Sequence, residues 1–189
     1  MNRRGFLKHA GAAGAAGWFG PGAPLGRGGT PYFSRAANPG ALIMDAMGEL
    51  RTIYEPPLVR EILASGIDSI TVTLCDPKAE GAEALELAVD GLMEYDSYLT
   101  AHPDLFVKTT SVGHIDEARD SGRMAVFYLY QNATQFGDDL DRVEMFHRLG
   151  LTSCQVTYNE RNLAGVGCRA AGDDGGAVDC GVALGQRLP

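Results

Sequence analysis

Met124–Tyr130 reads MAVFYLY and Ile67–Leu74 reads IDSITVTL, and these two runs decide the fold. Both are β-branched, aromatic or aliphatic along nearly their whole length, without the polar alternation of a strand that has one wet face. They read as strands of a parallel sheet covered on both sides. Working outward, Leu42–Asp45 and Leu105–Val107 are shorter strand candidates, and Thr152–Thr157 is another. Between them lie helical stretches. Pro56-Pro57 opens one that runs over Leu58–Ala64 and ends at Gly66, as suits proline in a first turn and glycine past a last one. Residues 80–101 place Leu85, Leu87, Val89, Leu92, Met93 and Leu99 among acidic residues, and His102-Pro103 closes that amphipathic helix. His114–Asp120 and Asp138–Leu149 complete the set. Strand and helix alternate throughout, which predicts a parallel α/β architecture with no domain boundary inside residues 37–189.

The amino terminus reads MNRRGFLK before a short Ala/Gly-rich run. Arg3-Arg4 followed by Phe6-Leu7-Lys8 is the pattern of a twin-arginine export signal, and the apolar run is far short of the ~20 residues a membrane span needs. A small-x-small site at Ser34-Arg35-Ala36 predicts a signal over residues 1–36, export machinery as a partner, and a periplasmic or extracellular location. Removing that segment takes the 16 Lys and Arg down to 11 against an unchanged 24 Asp and Glu, so the formal net charge goes from −8 to −13. So acidic a chain repels nucleic acid and anionic lipid. Of four cysteines, Cys75 and Cys154 fall in strand-like runs and read as free buried thiols. Cys168 and Cys180 lie in loop-like sequence, where pairing stays open.

Polar residues gather just after the strands. Asp45 with Glu49, Cys75-Asp76, Gln131-Asn132 and Tyr158-Asn159 each follow an apolar run, and in β/α barrels the chemistry sits at the strands' carboxyl ends. Each has a plainer alternative: Asp45 and Glu49 as caps of the first loop, Asp76 before Pro77 as a turn residue, Gln131 and Asn132 as partners of buried backbone.

The segments ALIMDAMGEL, YLYQNATQFGDDL and CQVTYNERNLAGVG, in that order, resemble the membrane (renal) dipeptidase family of zinc metallopeptidases. With GDDLDRVEMFHRLGL and DDGGAVDCG, the similarity covers most of residues 40–184. It implies a (β/α)8 TIM-type barrel, of which this chain corresponds to the first half, and metal-dependent hydrolysis of dipeptides. Matched to the family's D-G-H-x-D-like segment, Met47 takes the metal-binding His position and Glu49 the Asp position. Gln131 takes the place of the Glu that bridges two zinc ions, and Tyr158 that of the His that polarises substrate. The resemblance thus implies Glu49 and Gln131 at metal positions, Tyr158 at the catalytic one, and Asp45, Asp76, Asn132 and Asn159 as contacts to a small peptide. A thioether is a poor ligand in a hydrolytic zinc site, and replacing a bridging anion by a neutral amide weakens a two-metal site severely. The expectation is a degenerate half-site with zinc absent or weakly bound. Two alternatives stand beside it: a divergent hydrolase using Asp45, Glu49 and Asp76 around one metal or none, and a non-catalytic exported barrel that binds a small ligand. Because a complete barrel takes about 250 residues, the chain alone is expected to be poorly folded or oligomeric.

Overall fold

The structure is a computed structural model that describes residues 40–167. The export signal over 1–36, Cys168 and Cys180, and the helical start expected over Val182–Leu188 lie outside the described residues. Five parallel strands form one sheet: β1 (Met44–Gly48), β2 (Ser69–Thr73), β3 (Phe106–Lys108), β4 (Met124–Tyr130) and β5 (Leu151–Cys154). Four helices connect them: α1 (Pro56–Ala64), α2 (Gly81–Ala101), α3 (Gly113–Asp120) and α4 (Asp141–Arg148). A 3-10 turn at Thr134–Phe136 precedes α4, which starts at Asp141, three residues later than the Asp138 start the sequence suggests. The α/β alternation is as the sequence reads, and the arrangement is that of a partial TIM-type barrel.

The sheet order is not the chain order. β2 pairs directly with β4, and the other edge of β4 is shared. β3 takes its amino end, Phe106 opposite Met124 and Lys108 opposite Val126, while β5 takes its carboxyl end, Leu151 opposite Tyr128 and Cys154 opposite Tyr130. A three-residue strand leaves room on a seven-residue neighbour, which is why both fit.

Register assigns the faces, because residues paired across parallel strands point the same way. Ile70, Val72, Val126 and Tyr128 face α2 and α4. There they meet Ala88, Leu92 and Leu99 of α2 and Val143 and Phe146 of α4 in the main core. Phe146 is fully buried between the rings of Tyr130 and Phe136. The opposite face carries Ser69, Thr71, Ala125 and Phe127 and is covered at its amino end by Ile115 and Ala118 of α3. Toward the carboxyl end no described helix covers it.

α2 organises the molecule. At Gly91 it touches the Leu74 carbonyl oxygen so closely that a Cβ has no room. Tyr130 Oη donates to Ala88 O at 2.7 Å, and Tyr95 and Tyr98 donate to Leu50 O and Tyr54 O, each at 2.7 Å. Those last two bonds hold the β1–α1 loop, and Thr52 donates to Glu94 beside them. Below, Lys108 bridges Asp96 of α2 (2.7 and 2.9 Å) and Leu149 O (2.8 Å), with Tyr128 donating to the same carboxylate. The fully buried Asp68 accepts from Ile43 N at 2.9 Å and pairs with Arg119 at 3.4 Å, so its charge is compensated.

One expectation needs correcting. β2 and β4 are largely buried, but β1 is not: four of its five residues are exposed, including Met44 and Met47. β1 also begins and ends later than the run Leu42–Asp45 suggests, so Asp45 lies inside the strand. Conversely, β5 ends at Cys154, three residues short of Thr157.

Candidate functional site

The carboxyl ends of β1, β2, β4 and β5 form a polar rim. Its first corner is Met47 with Gln131. β1 is irregular between Asp45 and Gly48, where Asp45 pairs with Ile70 but Gly48 with Val72. Asp45 Oδ1 accepts from Met47 N at 3.1 Å within that irregularity. Gly48 follows on the helix side, and Met47 turns to the open face. Continuing the alternation of β4 past Tyr130 sends Gln131 to that same face. The two side chains meet there, Gln131 Nε2 donating to Met47 Sδ at 2.8 Å across 84 residues of sequence.

Asn132, the next residue, points the other way. Its Nδ2 donates to Pro77 O at 2.7 Å, and its Oδ1 accepts from Asn162 Nδ2 at 2.6 Å. Asn162 also donates to Val156 O (2.7 Å) and accepts from Ala164 N (2.7 Å) and Gly165 N (2.9 Å). One side chain therefore closes the loop after β5 and ties it to the end of β4. Sequence reading passed over this role; a lone Asn ahead of Ala-Gly in a glycine-rich loop is a turn-stabilising type, but nothing local shows its second partner thirty residues away.

The other expected site residues fall as follows. Asp76 accepts from Lys78 N at 2.9 Å, an Asx turn leading to α2. It borders, with Cys75, Gln131, Asn132 and Gln135, a cavity of ≈ 10 Å³, about the size for one water. Glu49 is exposed and bonded to Arg51 at 2.9 Å. Tyr158 and Asn159 are half-buried in the loop after β5, four and five residues beyond the strand and not at its tip. Asp76, Gln131 and Asn132 thus come together, and Met47 joins them through Gln131. The carboxylate of Glu49 is turned to Arg51.

Two thiols lie behind this rim. Burial pushes Cys75 up to about 11, with the neighbouring Asp76 charge adding to it, and pushes Cys154 up to about 12. Cys154 Sγ contacts Asn132 O at 3.4 Å and accepts from Gln135 Nε2 at 3.8 Å. Both cysteines are free and half-buried, Cys75 two residues past the end of β2 and Cys154 at the end of β5, the strands that flank β4 from opposite sides. Two strand spacings, roughly 10 Å, separate such positions, beyond the reach of a disulfide.

On the helix side of β4 a cleft of ≈ 710 Å³ opens between the β2–α2 loop, the β4–α4 connection and the segment after β5. Of the expected site residues, Asn132 alone lines it.

No family model matches the chain, and no curated protein matches it. Solved structures do. An amidohydrolase from Pseudomonas aeruginosa superposes with a TM-score of 0.64 at 23% identity, over 76% of this chain and 41% of its own. A metallopeptidase from Rhodobacter sphaeroides, liganded with a phosphinate mimic of the dipeptide L-Ala-D-Ala, gives 0.65 at 14% identity, over 76% and 54%. A dipeptidase described as a metallopeptidase of family M19 gives 0.63 at 15% identity, over 76% and 52%. This chain therefore has the fold of dipeptidases and amidohydrolases and spans about half the length of those relatives.

Metallopeptidase relatives imply a metal, and the donors at this rim do not fit one. Met47 offers a thioether, Gln131 turns its neutral amide nitrogen to that sulfur, and Glu49 is engaged by Arg51. Among the described residues, no group of three or more His, Cys, Asp or Glu is placed to hold a metal ion. No helix of the described residues is long and apolar enough to cross a membrane.

Proposed function

We propose that this chain belongs to a dipeptidase-like hydrolase barrel, exported through the twin-arginine route, whose carboxyl-end rim takes a short peptide. The observation that carries the reading is the Met47–Gln131 contact. It joins the ends of β1 and β4 on the open face, where barrels of this type place their chemistry, in a fold shared with dipeptidases. In this reading Gln131 and Met47 form a neutral wall that orients peptide, with Asp45 holding the backbone of Met47. Asp76 and Asn132 hold the loops that border that wall, and Tyr158 and Asn159 approach the ligand from the loop after β5. The described residues contribute binding and positioning, and no metal-dependent step is assigned to them.

A second reading, a non-catalytic barrel that binds a small peptide outside the cytoplasm, is favoured by that same neutral pair. The two separate in one experiment on the purified chain with alanyl-alanine as probe. Release of free alanine supports the hydrolase. Saturable calorimetric binding without amine release supports the binder. Neither turnover nor binding overturns both.

A further inference from the structure

The ≈ 710 Å³ cleft on the helix side of β4 is separate from the Met47–Gln131 corner, since Gln131 and Asn132 are consecutive and point to opposite faces of the sheet. Its size is that of a small-molecule site. Its walls carry charges of both signs: Lys78, Arg142 and Arg161 against Glu80, Asp138 and Glu160. Arg142 is occupied, bonding Asp139 at 3.4 Å and Phe136 O at 3.5 Å. Lys78 and Arg161 are exposed and, among the described residues, in no ion pair; the same holds for Glu80, Asp138 and Glu160. Glu80 stands just before α2 without using its carboxylate to cap the helix.

The floor is rigid and neutral. Asn132 and Asn162 bond to each other at 2.6 Å and to backbone on either side, so neither is free to swing toward the charges above. Pro77, Ala82 and Leu163 supply short apolar patches, and among the described residues no aromatic ring lines the cleft. The absence of a stacking surface disfavours a nucleobase, and balanced charge disfavours a polyphosphate or nucleic acid. What suits unpaired cations and unpaired carboxylates around a neutral floor is a small ligand that carries both charges itself.

We infer that this cleft is a second ligand site, distinct from the barrel rim, for a small zwitterion: a free amino acid or short peptide held by its carboxylate at Lys78 and Arg161 and by its ammonium group at Glu80. This goes beyond the proposed rim function and does not rest on it. The test is calorimetric titration of the full chain with triglycine, beside N-acetyl-triglycine and triglycine amide, which each lack one terminal charge. Variants are Lys78→Ala/Arg161→Ala and Glu80→Gln, all at exposed positions, and Met47→Ala/Gln131→Ala at the rim. The site predicts saturable binding of triglycine and at least tenfold weaker binding of each blocked peptide. It also predicts at least tenfold loss in the Lys78/Arg161 variant and in Glu80→Gln, with no change in the rim variant. Absence of triglycine binding overturns it. So does binding that survives the cleft variants and is lost in the rim variant, an outcome that leaves the rim reading standing.

Discussion

β4 and β1 lie two strands apart in one sheet and are built on opposite terms. β4 has neighbours on both edges, helices over one face and α3 over the amino end of the other, and six of its seven residues are buried. β1 has one described neighbour and presents Met44 and Met47 to the outside. The stable half of the molecule runs through β4, α2 and α4. The chemistry-bearing rim is assembled from what β4 can reach: Met47 through Gln131, the β2–α2 loop and Asn162 through Asn132. The lesson is that the rim's geometry depends on β4 being fixed, whereas β1 is held along one edge by β2, and the loop that follows it by the Tyr95 and Tyr98 hydroxyls of α2.

The comparison breaks if core and rim respond alike to substitution. The largest effect belongs to Phe146→Ala, which empties a fully buried site between Tyr130 and Phe136 and is expected to cost about 3–5 kcal/mol in chemical denaturation. Asn162→Ala comes next. It removes four hydrogen bonds at roughly 0.5–1.5 kcal/mol each, and the loss is local. Amide hydrogen exchange over residues 156–165 should accelerate at least tenfold while β4 stays protected.

The thiols behind the rim give a pH dependence. Burial holds Cys75 and Cys154 neutral in the fold, up to about 11 and about 12, against an ordinary value of 9.0. The unfolded chain therefore loses these protons first. Stability is fully present below about pH 9 and declines as pH rises through 9 toward 11, an effect that Cys75→Ser/Cys154→Ser should reduce. The same burial should keep iodoacetamide labelling of Cys75 and Cys154, read by peptide mapping, slow at pH 8, with only about one Cys75 in a thousand ionised. The smallest effect belongs to β1: Met44→Thr, exposed on the open edge, should move the midpoint by no more than about 0.5 kcal/mol.

Much of the frame was legible in the sequence because it depends on local signals. MAVFYLY defines β4 to the residue, the Pro56-Pro57 start sets α1, and the apolar periodicity of residues 80–101 sets α2. Sheet order was not legible. That β3 and β5 divide one edge of β4 follows from strand lengths and tertiary pairing, which no local pattern encodes. The exposure of β1 was missed for a related reason: LIMDAM reads as buried whether or not anything covers it. At the rim, residue type placed Gln131 and Asn132 at a strand end, but only the alternation of β4 sends one to Met47 and the other to Asn162. Asp76 before Pro77 reads as a turn residue from local sequence, and its bond from Lys78 N makes it one.

The most direct test of the account asks whether the Met47–Gln131 corner is a ligand wall or a metal seat. Zinc per chain is measured by mass spectrometry on the purified full chain and on Met47→Ala/Gln131→Ala, after equilibration with equal zinc. The account predicts the same stoichiometry for both, whatever its value, because neither side chain holds a cation. Stoichiometric zinc in the native chain that disappears in the variant would contradict it.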